Sequence, residues 1–361
     1  MKISIVGAGN AGCFTALHYA CHAAGVEIEL IHDPNISPEP VGQATVLDPP
    51  SLLYYAMGFD WFNNKVHATP KTGVVYEGWG KVNEKVSNPF PANHVGMHFC
   101  PSEMQKSILN SGLFKVVEDD VDPKEVDADY VFDCRGKPED FSNYDELKNP
   151  INAVILGKPN WDVTCLWTRA VATPDGWTFV IPTLKDSPSY NGCVGYLYNS
   201  DITSKEDAEK NFLEMFDVEI SGYLNFNNYV AKDPVVDDRI FLNGNRLFFL
   251  EPLEASAIQT HLEWARYVFD IVLTGSIQME DGKRNMRTYI ERVQNFILWH
   301  YHFGSKYDTP FWEYARTLTF KDANFNMFLQ QTAPSSTPYA YWDSLQFKSW
   351  QEGMTIPLGE K

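Results

Sequence analysis

The first dozen residues constrain this chain more than any other stretch. Lys2-Ile3-Ser4-Ile5-Val6 is a short apolar run, Gly7-Ala8-Gly9-Asn10-Ala11-Gly12 follows it, and a helical pattern then continues to about Ala24. Strand, glycine-rich turn and helix in that order open a doubly wound, Rossmann-type α/β fold. Gly7 permits the tight turn, Gly9 lets a pyrophosphate approach the backbone, and Gly12 lets helix and strand pack closely. The helix N-terminus, around Ala11, carries roughly half a positive charge for the anion. A second apolar strand, Val26 to Ile31, ends in His32-Asp33, about 20 residues beyond the fingerprint, where a ribose-binding carboxylate belongs. Asp33 is therefore the ribose candidate, and the plain alternative is a glycine-rich turn with no ligand.

Two later segments fit the same module. Val41-Gly42-Gln43-Ala44-Thr45-Val46 is a small-residue loop whose amides can approach a ligand, placing Gly42, Gln43 and Ala44 among the cofactor candidates. A strand at Tyr130-Val131-Phe132 ends in Asp133-Cys134-Arg135-Gly136, an acid at a strand end before a small turn. Between them, Ser102 is expected to cap a helix from Glu103 to about Ser111.

Pro70-Lys71-Thr72-Gly73-Val74-Val75-Tyr76 puts a lysine between a turn and a β-branched, aromatic strand. If buried, its amine titrates low enough to act as a base, nucleophile or positioned donor; if not, it is a solvated surface charge. Trp79 to His94 reads as irregular, lid-like chain.

The middle of the chain changes character. Cys165 to Ala172, Gly176 to Pro182, Cys193 to Tyr198 and Asn225 to Val230 are short aromatic or β-branched runs between Pro, Gly and Asp turns. They predict an antiparallel sheet inserted in the nucleotide fold at about 160–240. Leu247 to Leu250 reads as a strand, and Glu251 to Ile258 as the opening of a long helix running to about Leu273. Residues 1–275 thus form the discontinuous cofactor module, and 276–361 a helical, substrate-side region. There, Arg284 to Trp299 is helical, another helix starts near Pro310, and the Ser/Pro-rich tail after Thr332 wraps the surface.

The formal net charge of -18 repels a phosphate backbone, and no basic stripe offsets it, so nucleic acid is not an expected partner. Six cysteines without a Cys-x-x-Cys pair, in apolar surroundings, read as reduced, buried thiols of a cytoplasmic protein. No leader and no apolar run of about 20 residues is visible, so the expectation is a soluble, unexported chain. His18 and His22 have a metal-compatible spacing but no further ligand, and read as packing or surface residues. His300 and His302 read as part of an aromatic helix end, and Trp299 or Trp312 as cavity-lining candidates.

These residues together resemble the flavin-dependent halogenases of the tryptophan-halogenase type, over most of the chain. Gly7 to Gly12 resembles that family's FAD fingerprint, and Val41 to Thr45 its loop over the flavin. His98-Phe99 and Asp133 to Gly136 look like later landmarks of its FAD domain, and Asp308 to Trp312 like a family helix start. Trp177-Thr178-Phe179-Val180-Ile181-Pro182 is similar to the hallmark Trp-x-Trp-x-Ile-Pro, and Gly195 to Tyr198 to the Gly-Tyr-x-Tyr strand. The resemblance implies reduced FAD supplied by a separate flavin reductase, with oxygen and halide as co-substrates. Lys71 stands where members carry the lysine that receives hypohalous acid, and Glu254 where they carry an acid facing it. Backbone N–H groups near Ser256 and Ala257 would hold the halide, and Trp177, Phe179, Ile181 and Pro182 would line the substrate side.

The sequence also departs from the family. Phe179 replaces the second hallmark Trp, Gln43 replaces a loop acid, and Ala255 and Ala257 make the halide segment less polar, pointing to bromide or iodide. The chain is shorter than most members, which implies a trimmed, open site for phenols, indoles or anilines. A flavin monooxygenase of the same fold and a non-catalytic flavin binder are the competing readings, and a homo-oligomer is compatible with all three. No second glycine-rich fingerprint for a nicotinamide is visible, which favours diffusing reduced flavin.

Overall fold

The computed structural model describes residues 1–38, 41–46, 48–62, 64–90, 94–182, 194–318 and 352–355. Cys193, the tail after Thr332 and part of the segment leading to His94 lie outside these residues.

Lys2–Val6 is the centre of the first sheet, flanked on one side by Glu27–His32 and on the other by Tyr130–Asp133, both parallel to it. Lys115–Glu118 and Ile240–Leu242 extend the parallel order outward, and Val235–Val236 adds an antiparallel edge. Ile3 and Ile5 are fully buried, and so is Ser4, whose hydroxyl donates to Glu29 at 3.2 Å. That buried carboxylate also holds Lys2 and Lys115, and since consecutive residues Ile3 to Val6 are all buried, both faces of the central strand are covered, as a parallel sheet requires. The first helix, Asn10–His22, is apolar nearly all round and is enclosed by helices at 48–57, 101–109 and 257–269.

The second large sheet has seven strands in the order 218–225, 153–159, 194–198, 176–180, 168–173, 73–77, 85–89. All its pairings are antiparallel except the one between 168–173 and 73–77. The expected antiparallel sheet is present for its first three runs and also takes in the Val74–Tyr76 strand and Lys85–Pro89, but the fourth run, Asn225 to Val230, is broken: Asn225 ends the strand Val218–Asn225, and Tyr229–Ala231 pairs in a separate three-stranded sheet. Lys85–Pro89 corrects the irregular reading of that region: Val86 and Asn88 point inward and Lys85, Ser87 and Pro89 outward, an alternation that the many turn residues obscure.

A three-stranded sheet joins the two halves. Gln43–Ala44 and Thr69–Lys71 pair on either side of Gly96–Phe99. The long helix Met279–His302 buries Met286, Tyr289, Ile290, Val293, Phe296, Ile297, His300 and Tyr301, a 3.6-period stripe that packs on helix 257–269 and on Pro310–Thr317. Its last turn joins a nest of aromatic rings. The Trp79 and Trp312 rings meet edge to face with centroids 5.2 Å apart, and their indole N–H groups donate to the carbonyls of Ala170 and Thr173.

Two boundaries differ from the sequence reading. Cys100, not Ser102, precedes the helix, because Pro101 occupies its first position, where a missing N–H is harmless. The helix expected from Glu251 begins only at Ala257 and ends at Phe269, with a single wide turn from Asp270 to Thr274 after it. Before it, Leu253–Ala255 forms a tight turn in which Glu254 (φ 70°) and Ala255 (φ 54°) are left-handed. Non-glycine residues pay steric strain there, so the chain kinks where propensity alone predicts continuous helix.

Candidate active site

Two candidate regions can be followed from the backbone. At the first, the three glycines differ in what a side chain would meet. A Cβ on Gly12 would fall 1.8 Å from the Gly7 carbonyl oxygen, and one on Gly7 (φ 104°) 2.5 Å from the Cys134 carbonyl oxygen, whereas one on Gly9 meets nothing within 4 Å. Gly7 and Gly12 are therefore packing glycines, and Gly9 faces open space. The helix starting at Asn10 has no side-chain cap and no acid in its first turn, leaving the N–H groups around Ala11 for an anion. This turn fits a dinucleotide pyrophosphate.

The other cofactor candidates lie at the same sheet edge or the neighbouring loop. Asp33 follows the second strand, its carboxylate accepting from the backbone and side-chain amides of Asn35 at 2.8 Å each. Asp133 ends the strand beside Val6, and its carboxylate is gripped by Arg135 at 3.0 Å through two nitrogens and by Arg246 at 3.4 Å. Gln43 and Ala44, next to Gly42, pair with Phe99 and His98.

The second is Lys71. It closes the strand Thr69–Lys71, opposite Gly96, and two residues later Gly73 opens a strand of the seven-stranded sheet. The hinge is fixed: Thr72 donates its N–H to Leu166 and accepts from Phe90. A Cβ on Gly73 (φ 153°) would fall 2.4 Å from the Asn88 carbonyl oxygen, so only glycine turns the chain there. Lys71 is completely buried, with its ammonium 5.4 Å from the Phe90 ring centre. Burial lowers its pKa from 10.5 to about 8, while the charge of Glu254 acts the other way. His98, on the adjoining strand, is buried too; burial and then the Lys71 charge push it well below the usual imidazole range, so it is neutral. Its Nε2 lies 2.9 Å from the Thr168 hydroxyl.

The left-handed kink carries Glu254, about 180 residues further along the sequence, to where its charge acts on Lys71. The two form no ion pair among the described residues; Glu254 Oε1 instead lies 2.9 Å from His300 Nε2, and Oε2 has no partner there. The same His300 nitrogen lies 3.0 Å from the Tyr76 hydroxyl, and His300 Nδ1 lies 2.7 Å from the Phe296 carbonyl. His300 and Tyr76 were not legible as site residues. A histidine among aromatics in a helix has no spacing signal, and Tyr76 reads simply as a strand former. Ser256, half-buried, immediately precedes the helix and the exposed Ala257 begins it, one turn from Glu254.

Trp177 and Phe179 share one face of their strand by the period of two, Ile181 follows its end, and all three are buried. Phe179 packs over Gly195, where a Cβ would come within 2.2 Å of the ring. Pro182 contacts the lysine strand by accepting from the Thr69 hydroxyl at 3.2 Å. Beside Trp177 sits Glu251, which the sequence offered only as part of a helix start. Burial raises its pKa to about 7 against the opposing pull of Tyr301, Asn149, Trp177 and the Ile151 N–H. The Tyr301 hydroxyl donates to it.

Other candidates fall away from this centre. His18 is buried against Tyr19, Phe269 and His22, and no cluster of three metal-capable side chains exists among the described residues. Cys13, Cys100 and Cys134 are buried, while Cys21 and Cys165 are only half-buried, correcting the expectation for those two. Trp299 and Trp312 are buried in the aromatic nest. No helix of the described residues is long and apolar enough to cross a membrane.

Comparison with known proteins agrees with this arrangement. The backbone superposes on Xcc4156, a flavin-dependent halogenase from Xanthomonas campestris, with a TM-score of 0.80, 15% identity, and 99% and 89% of the two chains covered. A tryptophan 6-halogenase, SttH, from Streptomyces toxytricini gives a TM-score of 0.77 at 18% identity, covering 99% of this chain and 91% of that one. At these identities the likeness is one of fold. In sequence, the chain is 26% identical to tryptophan 7-halogenase RebH of Lentzea aerocolonigenes over 168 residues, which is 43% of this chain and 30% of that protein. The family model described as tryptophan halogenase matches residues 2–113 and 107–356, nearly the whole length, and the chain belongs to that family.

Proposed function

We propose that this protein is a flavin-dependent halogenase acting on small, electron-rich aromatics, with Lys71 and Glu254 as its catalytic pair. The observation that carries the reading is a fully buried lysine with a lowered pKa that lies within the field of a buried carboxylate, in a chain of this family. Bound reduced FAD, delivered by a separate reductase, supplies with oxygen and halide the hypohalous acid. Gly9 and the N–H groups around Ala11 would hold its pyrophosphate in a turn whose shape Gly7 and Gly12 set by close packing, Asp33 would hold its ribose, and Gly42, Gln43, Ala44 and Asp133 its remaining edges.

Lys71 receives the oxidant as a hydrogen-bond donor or, from its neutral amine, as a haloamine. A pKa of about 8 makes both forms available near neutrality. The ring carbon takes the halogen as its bond to oxygen in hypohalous acid breaks and water leaves, or as its bond to nitrogen in the haloamine breaks and the amine is restored, the water having left when the haloamine formed; Glu254 takes the proton that carbon loses, so the aromatic C–H becomes C–halogen. The absence of a direct ion pair leaves the amine free to meet the oxidant. N–H groups at Ser256 and Ala257 hold the halide, and Trp177, Phe179, Ile181 and Pro182 separate the ring from the flavin side. The apolar Ala255 and Ala257 favour bromide or iodide over the more strongly hydrated chloride.

The test is mass spectrometry of aerobic reactions with FAD, a flavin reductase, NADH, mixed halides and a panel of phenols, indoles and anilines. Halogenated products lost in Lys71→Ala are expected, with bromide or iodide outcompeting chloride. Hydroxylated products insensitive to halide and to Lys71→Ala would replace this reading by a monooxygenase. Mainly chlorinated product would overturn the halide preference alone.

A further inference from the structure

Glu254 must be an anion to accept a ring proton, yet it is buried and its backbone is left-handed. Something has to hold it, and the contacts around His300 identify what. His300 Nδ1 lies 2.7 Å from the Phe296 carbonyl, which can only accept, so Nδ1 carries a proton. At Nε2, Glu254 Oε1 is 2.9 Å away and the Tyr76 hydroxyl 3.0 Å away. An ionised carboxylate offers no proton, so a hydrogen bond between Oε1 and Nε2 requires one on the ring nitrogen.

We propose that His300 is a positioning residue for Glu254: it donates Nε2–H to Oε1, holds the carboxylate as an anion, and leaves Oε2 as the acceptor for the substrate proton. The Tyr76 hydroxyl oxygen, on a strand of the seven-stranded sheet, accepts a share of that same Nε2–H, and the rings of Phe296, Trp299 and Trp79 enclose the imidazole. The last turn of helix Met279–His302 is where a cation is favoured by the helix dipole. The titratable groups around the ring are Glu254 from the kink and Tyr76 from the strand. Lys71 acts on Glu254 from beyond, and Tyr301, hydrogen-bonded to Glu251, is the next residue on the helix. His300 itself gains and loses no bond in turnover; the aromatic proton passes to Glu254 and from there to solvent between cycles.

The inference rests on the halogenase reading, and the experiment separates the two. Wild type, Lys71→Ala, His300→Gln, His300→Leu and Tyr76→Phe are compared for halogenation across pH, with thermal unfolding as a check on folding. A wild type that does not halogenate defeats the functional reading; the remaining outcomes address His300. Glutamine keeps a donor but not a charge, so the acid limb of kcat/KM moves up by about one pH unit or more. Leucine loses both, and kcat falls by about 100-fold while the KM of the aromatic stays near wild type. Tyr76→Phe keeps the packing and falls between the two. An unchanged acid limb in His300→Gln, or a loss in His300→Leu confined to KM, overturns the proposal. Should the leucine variant not fold, the glutamine variant and nitrogen NMR of histidine-labelled wild type decide. The NMR expectation is a protonated Nε2 at pH 7 that changes in Glu254→Gln; an unprotonated Nε2 overturns the proposal without reference to activity.

Discussion

His300 Nε2 and Glu254 Oε1 lie 2.9 Å apart with 0% and 1% of their side chains exposed. Removing one partner of such a buried pair leaves the other buried and unsatisfied. His300→Leu is therefore expected to cost about 3–5 kcal/mol in urea unfolding at pH 7, and the double replacement with Glu254→Leu to recover part of it. A single-variant cost below about 1 kcal/mol would contradict the buried contact.

Lys71 makes a second stability prediction, of opposite sense. Its folded pKa of about 8 lies below the ordinary 10.5, so between those values the unfolded chain binds the proton and the native protein does not. Native stability from this group therefore rises with pH through that window, and is absent below it. Lys71→Met removes the buried cation, so the variant should be more stable than wild type at pH 7. Its advantage should shrink by about 2.5 kcal/mol by pH 10, as matched denaturation curves would show.

Glu251 runs the other way. Its pKa is raised from 4.5 to about 7, so the native protein holds a proton that the unfolded chain has lost across that range, and stability falls as pH rises through it. Glu251→Gln can still accept from Tyr301. Its stability relative to wild type should grow by about 3 kcal/mol between pH 4 and pH 8.

The glycines give a test that distinguishes folding from cofactor binding. Gly9→Ala meets open space, so thermal stability without ligand should change by less than about 1 kcal/mol while FAD affinity falls. Gly12→Ala drives a methyl into the Gly7 carbonyl and should lower the unfolding temperature even without FAD. Flavin fluorescence titration beside thermal melts reads both.

The parts of the fold with a local code were legible. Ile3 and Ile5, the three glycines and the alternating Trp177 and Phe179 carry strand, turn and face in their own spacing. The family setting singled out Lys71 and Glu254, and both are buried. His300 and Tyr76 were not legible, because their meeting depends on how a helix end packs against a strand more than 200 positions away, and no periodicity records that. The kink at Glu254 hid for a related reason. Its left-handed residues are a glutamate and an alanine, whose propensities favour the helix that tertiary packing interrupts.

Gly73 has a consequence for how such chains can vary in length. Lys71 belongs to one sheet and Tyr76 to another, with Gly73 pressed against Asn88 between them. One residue inserted between positions 73 and 76 would turn Tyr76 to the opposite face of its strand and take its hydroxyl from His300. The six residues from Lys71 to Tyr76 act as a ruler: loops elsewhere can be shortened or exchanged for a new substrate, while these keep the amine and the ring behind the acid in fixed phase.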